Sequence, residues 1–120
     1  MDLVSAEELK AKLDREDDFK LVMVLGDWAF QLMHIPGSLN IHAIELGKAL
    51  LKLDDEIVVY CSNPDCVASR AAYGILTANG YKHVRRFAGG LLDWQAHGYP
   101  LEGTSAGEQS AEAEGPAAAP

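Results

Sequence analysis

Short apolar runs alternate with helical stretches along this chain, and that alternation restricts its fold more than any other feature. Phe19 to Leu25 and Ile57 to Tyr60 are apolar enough for strands buried on both faces, while Leu39 to Ile41 and Val84 to Phe87 read as further short strands. Ser5-Ala6-Glu7-Glu8 forms a capping box that opens a helix to about Leu13. Trp28 to Leu32 suits a turn or two of helix, and Ile44, Leu46, Ala49, Leu50 and Leu53 make one apolar helical face. Ala68 to Ala78 is a fourth stretch, stopped by Asn79-Gly80, and Leu91 to Ala96 a fifth, entered through the tight turn of Gly89-Gly90. Strands and helices alternating at such spacing imply a parallel sheet covered on both sides, doubly wound because crossovers are right-handed. The expected fold is an α/β domain with a central parallel sheet of about five strands and helices on both faces.

At 120 residues the chain suits one domain, placed here at residues 1–102. From Gly103 the composition changes to Gly, Ala, Ser, Glu, Gln and Pro with no large apolar residue, so 103–120 reads as a disordered, acidic and alanine-rich tail. The net charge of −8 argues against a nucleic-acid partner, since phosphate binding needs a basic face. Lys82, Arg85 and Arg86 do cluster, either as a solvated edge around a strand or as a docking patch. No apolar run approaches a membrane span, and Met1-Asp2-Leu3-Val4 has no basic and apolar leader, so no membrane partner and a cytoplasmic location are expected.

Cys61 stands where the strand ending at Tyr60 gives way to the polar loop Ser62-Asn63-Pro64-Asp65 and then to a helix. Open α/β sheets bind ligands at that edge. Loop amides and the positive end of a helix dipole gather there, and both favour a thiolate over a thiol.

Four blocks then resemble the rhodanese-like single-domain sulfurtransferases: His34-Ile35-Pro36-Gly37-Ser38-Leu39-Asn40-Ile41; Ile57-Val58-Val59-Tyr60-Cys61; Ser69-Arg70-Ala71-Ala72; and Gly80-Tyr81-Lys82-His83-Val84 running into Gly89-Gly90-Leu91-Leu92-Asp93-Trp94 and Gly98-Tyr99-Pro100. The resemblance spans residues 3–101. It implies that Cys61 takes a sulfane sulfur from a donor, thiosulfate or a protein persulfide, and passes it as a persulfide to a thiol or other nucleophilic acceptor. The backbone of Ser62, Asn63, Pro64, Asp65, Cys66 and Val67 is the expected anion-binding loop, with no metal and no organic cofactor. Three departures stand out. Met23-Val24-Leu25 replaces the family's usual Asp-Val-Arg, Met33 replaces a glycine before the His-Ile-Pro-Gly block, and the loop is a residue or two longer than usual and carries Cys66.

Several residues keep more than one reading. Cys66 is a small apolar helix-start thiol, a thiol that resolves the Cys61 persulfide or forms a reversible disulfide with Cys61, or half of a zinc knuckle. Arg70 is a solvated or loop-bracing residue or a donor-binding group. Eight residues separate it from Cys61, too many for the closely spaced pair with which the related cell-cycle phosphatases grip a phosphoryl group. His34 reads as structural, His42 as a candidate accessory residue lining the pocket, and His83 and His97 as solvated. Trp94 reads as core, and Trp28 and Phe30 as core or as an apolar wall of the pocket. Two further functions stay open beside sulfur transfer: a non-catalytic docking or regulatory module, and a thiol redox protein using Cys61 and Cys66.

Overall fold

In the computed structural model, which describes residues 1–41 and 51–104, the chain runs α1 (Ala6–Asp14), β1 (Lys20–Met23), α2 (Asp27–Leu32), β2 (Leu39–Asn40), β3 (Glu56–Tyr60), α3 (Val67–Ala78), β4 (His83–Phe87) and α4 (Gly90–Ala96). The four strands form one sheet in the order β2-β1-β3-β4, every pair parallel. The fold is the expected rhodanese-like α/β arrangement, with one strand fewer among the described residues than the sequence suggested. In the fifth place, beside β4, there is a single parallel bridge. Arg86 N–H donates to the Asp2 carbonyl at 2.8 Å and Val4 N–H to the Arg86 carbonyl at 3.0 Å. That pairing covers an edge that would otherwise present free backbone groups.

Period-two alternation divides the core. Leu21 and Met23 of β1, Val58 and Tyr60 of β3 and Phe87 of β4 face Leu9 of α1, Ala29 of α2 and Leu91 and Trp94 of α4. Val22, Val24, Ile57, Val59, Cys61 and Val84 face the opposite way, against Ala72 and Leu76 of α3. The capping box opens α1 as expected, Ser5 Oγ accepting from Glu8 N–H at 3.1 Å. Trp94 is fully buried as core, its indole N–H donating to the Pro100 carbonyl at 2.8 Å.

Two sequence readings are corrected. Trp28 is 73% exposed and not core, because short α2 buries the next residue, Ala29, and turns Trp28 outward. Residues 51–53, read as the end of a helix, are not helical. Lys52 and Asp55 close a turn, the Lys52 N–H donating to Asp55 Oδ2 at 2.9 Å and the Asp55 N–H to the Lys52 carbonyl at 3.0 Å. The rest of that segment, His42 with it, and the tail from residue 105 lie outside the described residues.

Candidate active site

Cys61 follows β3 at the C-terminal edge of the sheet, and Cys66 occupies the N-cap of α3. A disulfide joins them, with Cα atoms 6.5 Å apart. Of the three readings of Cys66, the one that pairs it with Cys61 matches this bond. No group of three or more metal-ligating side chains occurs among the described residues. Cys61 is 1% exposed in this oxidised state, whereas Cys66 is half-buried.

The loop between them is held from within and from below. Asp65 N–H donates to Asn63 Oδ1 at 2.9 Å and Cys66 N–H to the Asn63 carbonyl at 3.1 Å. Pro64 has no N–H. The amides of Asp65 and Cys66 are thus used within the loop itself. From the other side, Leu91 N–H donates to the Cys61 carbonyl at 3.0 Å and Leu92 N–H to the Ser62 carbonyl at 2.8 Å. Gly90 makes that approach feasible: its φ is +65°, and a Cβ there would lie 2.5 Å from the Cys61 carbonyl oxygen.

Arg86 is the residue that sequence reasoning missed. It is 4% exposed, with Nε donating to Ser69 Oγ at 2.9 Å and an Nη to the Pro64 carbonyl at 3.2 Å. The register pairs it with Val59, on the face that carries Cys61 and α3, so its guanidinium reaches the first turn of α3. Ser69 Oγ lies 3.6 Å from Cys61 Sγ. A disulfide sulfur carries no hydrogen, so in this contact only the hydroxyl, which accepts from Arg86, has a proton to donate. Arg86 has no carboxylate in ion-pair range among the described residues. Burial first, and then the charge of Arg70, lower its pKa. The signal was in the alternation: Val84 is buried on the α3 face, and two residues on the chain returns to it.

The basic cluster read from the sequence is thus divided. Arg85 binds the N-terminal segment, donating to the Leu3 carbonyl at 2.7 Å and meeting Glu8 Oε2 at 3.3 Å and Asp2 Oδ1 at 3.4 Å, and Lys82 stays exposed. Arg70 is exposed on α3 and near enough to Arg86 for its charge to be felt there.

Around the site, the His34 turn is pinned to the strand that delivers Cys61. Tyr60 Oη accepts from Ile35 N–H at 3.0 Å and pairs with Ser38 Oγ at 2.9 Å, and Ser38 donates to the Ile35 carbonyl at 2.7 Å. Burial pushes the Tyr60 phenol up to about 12. His34 is structural: its Nδ1 proton goes to the Phe30 carbonyl at 2.7 Å, and its ring stacks on half-buried Phe30. Where the family's Asp-Val-Arg would lie, the Asn40 amide donates to the carbonyls of Met23 at 3.3 Å and Leu25 at 2.7 Å. A cleft of about 660 Å³ lies at the other end of the strands, beside Lys20, Glu56 and His83, remote from the cysteines. No helix among the described residues is long and apolar enough to cross a membrane.

Comparisons with known proteins agree with this architecture. A transcriptional regulator of the HTH type from Mycobacterium tuberculosis is 37% identical over 84 residues, covering 68% of this chain and 37% of the regulator. The chain thus spans little more than a third of that relative. A sulfurtransferase of Allochromatium vinosum is 27% identical over 100 residues, 82% of this chain and 92% of the relative. The human single-domain sulfurtransferase superposes with a TM-score of 0.69 at 27% identity, over 80% of this chain and 96% of the human one. The family model for the rhodanese-like domain matches residues 5–97, and the chain belongs to the rhodanese-like domain family.

Proposed function

We propose that the chain is a sulfurtransferase or persulfide carrier in which Cys61, once reduced, is the sulfur-accepting nucleophile. The observation that carries this reading is the path from Arg86 through Ser69 to the Cys61 sulfur, contacts of 2.9 Å and 3.6 Å that bring a buried cation, with no carboxylate in ion-pair range among the described residues, to bear on one sulfur atom. A buried charge needs a counter-charge or full hydrogen bonding. A Cys61 thiolate, and afterwards a Cys61 persulfide, supplies a negative charge at that point. Arg86 acts through Ser69 as a positioning residue, in the role left open by the missing arginine of Met23-Val24-Leu25.

With thiosulfate as donor, the thiolate attacks the outer sulfur. A bond forms between Cys61 Sγ and that sulfur, the donor's sulfur–sulfur bond breaks, and its electron pair leaves with sulfite. The persulfide is again an anion, held by the hydroxyl of Ser69, the amides of Ser62, Asn63 and Val67 and the N-terminus of α3. Preorganised donors of this kind are worth about 3 kcal/mol each where charge develops. A thiol acceptor then takes the outer sulfur and leaves Cys61 as thiolate.

The test is thiocyanate formation from thiosulfate and cyanide by protein first reduced with a dithiol. Wild type is expected to turn over and Cys61→Ser to fall to the uncatalysed rate. Equal rates in the two would favour the docking or regulatory module instead.

A further inference from the structure

We propose that Cys66 resolves the Cys61 persulfide within the same loop, so that the protein releases its sulfane sulfur as hydrosulfide and closes the disulfide seen here. This rests on the persulfide reading above and adds a product to it. In the step, a Cys66 thiolate attacks Cys61 Sγ and forms the Cys61–Cys66 bond. The bond from Cys61 Sγ to the outer sulfur breaks, and its electron pair leaves with that sulfur, which takes up the proton given up by the Cys66 thiol and departs as HS⁻. The two cysteine sulfurs are together oxidised by two electrons and the sulfane sulfur is reduced by two. A dithiol reductant then reopens the disulfide for the next cycle.

Three observations support the step. The disulfide is its product, and the backbone already holds the two Cα atoms 6.5 Å apart, within the range a disulfide spans. Cys66 is the N-cap of the 12-residue α3 and has no side-chain capping bond, so its sulfur stands at the positive end of the helix dipole, where a thiolate is favoured. Exposure separates the roles: Cys61 is 1% exposed and Cys66 half-buried, so with the loop in this form a thiol from solution meets Cys66 first. An attacking group tethered five residues away also has the advantage of proximity over a free thiol.

The experiment starts from fully reduced protein, loaded with thiosulfate, desalted without added thiol, and followed by a sulfide-selective probe and intact mass. Wild type is expected to release about one sulfide per sulfur bound and to become two hydrogens lighter than its reduced form. Cys66→Ser is expected to gain the sulfur on Cys61, keep it, and give sulfide only when a thiol is added. Serine suits an N-cap, so this variant retains the helix start. If wild type holds its persulfide as long as Cys66→Ser does, internal resolution is overturned while the sulfurtransferase reading stands. If neither protein gains sulfur, both are overturned.

Discussion

Arg86 donates through Nε to Ser69 Oγ at 2.9 Å, joining the last strand of the sheet to the first turn of α3 one atom short of the Cys61 sulfur. Removing the hydroxyl by Ser69→Ala strips a buried guanidinium of an acceptor. A loss of about 1–3 kcal/mol in stability is expected, measured by urea unfolding. In a Cys66→Ser background, where Cys61 is the one thiol, Arg86→Gln is expected to raise the Cys61 pKa, seen as a shift of the iodoacetamide alkylation profile to higher pH. A purely structural Arg86 would lower stability and leave that profile in place.

Gly90→Ala is expected to damage fold and site together. The added Cβ would meet the Cys61 carbonyl oxygen at 2.5 Å and the Ser62 carbonyl carbon at 2.8 Å, in a backbone with φ of +65°. Left-handed strain and overpacking together are expected to cost about 2–5 kcal/mol, read from denaturant unfolding. Thiosulfate turnover should fall with it, because the backbone that must move carries Cys61.

Tyr60 sets an alkaline limit. Its folded-state pKa of about 12 lies above the ordinary 10.0, so the folded protein holds the proton longer than the unfolded chain. The contribution is complete below pH 10.0 and is lost as pH rises toward about 12, a few kcal/mol in all. Unfolding free energies measured across that window should show the fall, and Tyr60→Phe should remove this part of it. The same variant leaves the Ile35 N–H without its acceptor, at a cost of about 1–3 kcal/mol at neutral pH.

His97 should titrate above the usual histidine value, because its Nδ1 bond to the Asp93 carbonyl comes first among the causes, with the Asp93 and Glu7 carboxylates adding to it. The sign follows: its contribution is present in full below the unfolded pKa and is lost as pH rises through the folded one. NMR titration of the His97 ring checks this. A His97 value at or below the ordinary 6.5 would contradict it.

Much of the fold was legible because its signals are local. The Ser5–Glu8 capping box, the β-branched run to Tyr60 and the Gly-Gly entry to α4 each depend on neighbours in sequence, and each is where the pattern put it. Trp28 misled because a large aromatic residue usually signals burial, whereas α2 is too short to bury more than Ala29. Cys61 and its loop could be located from the strand-to-helix junction. Their bond to Cys66 was one of several readings, since five residues of spacing do not by themselves fix the loop's path. Arg86 stayed hidden for a different reason. Alternation sets Arg86 with Val84 and Arg85 with Phe87, but each face of β4 carries one apolar residue, so the pairing of β4 with β3 was needed to decide which arginine turns toward Ser69 and which toward Glu8.

Intact mass of dithiol-reduced protein after incubation with thiosulfate tests the central claim, a sulfur-accepting Cys61, most directly. In Cys66→Ser, which cannot discharge internally, a gain of one sulfur atom mapped to Cys61 is expected, and Cys61→Ser should gain none. An unchanged mass in Cys66→Ser, or an equal gain in Cys61→Ser, would contradict it.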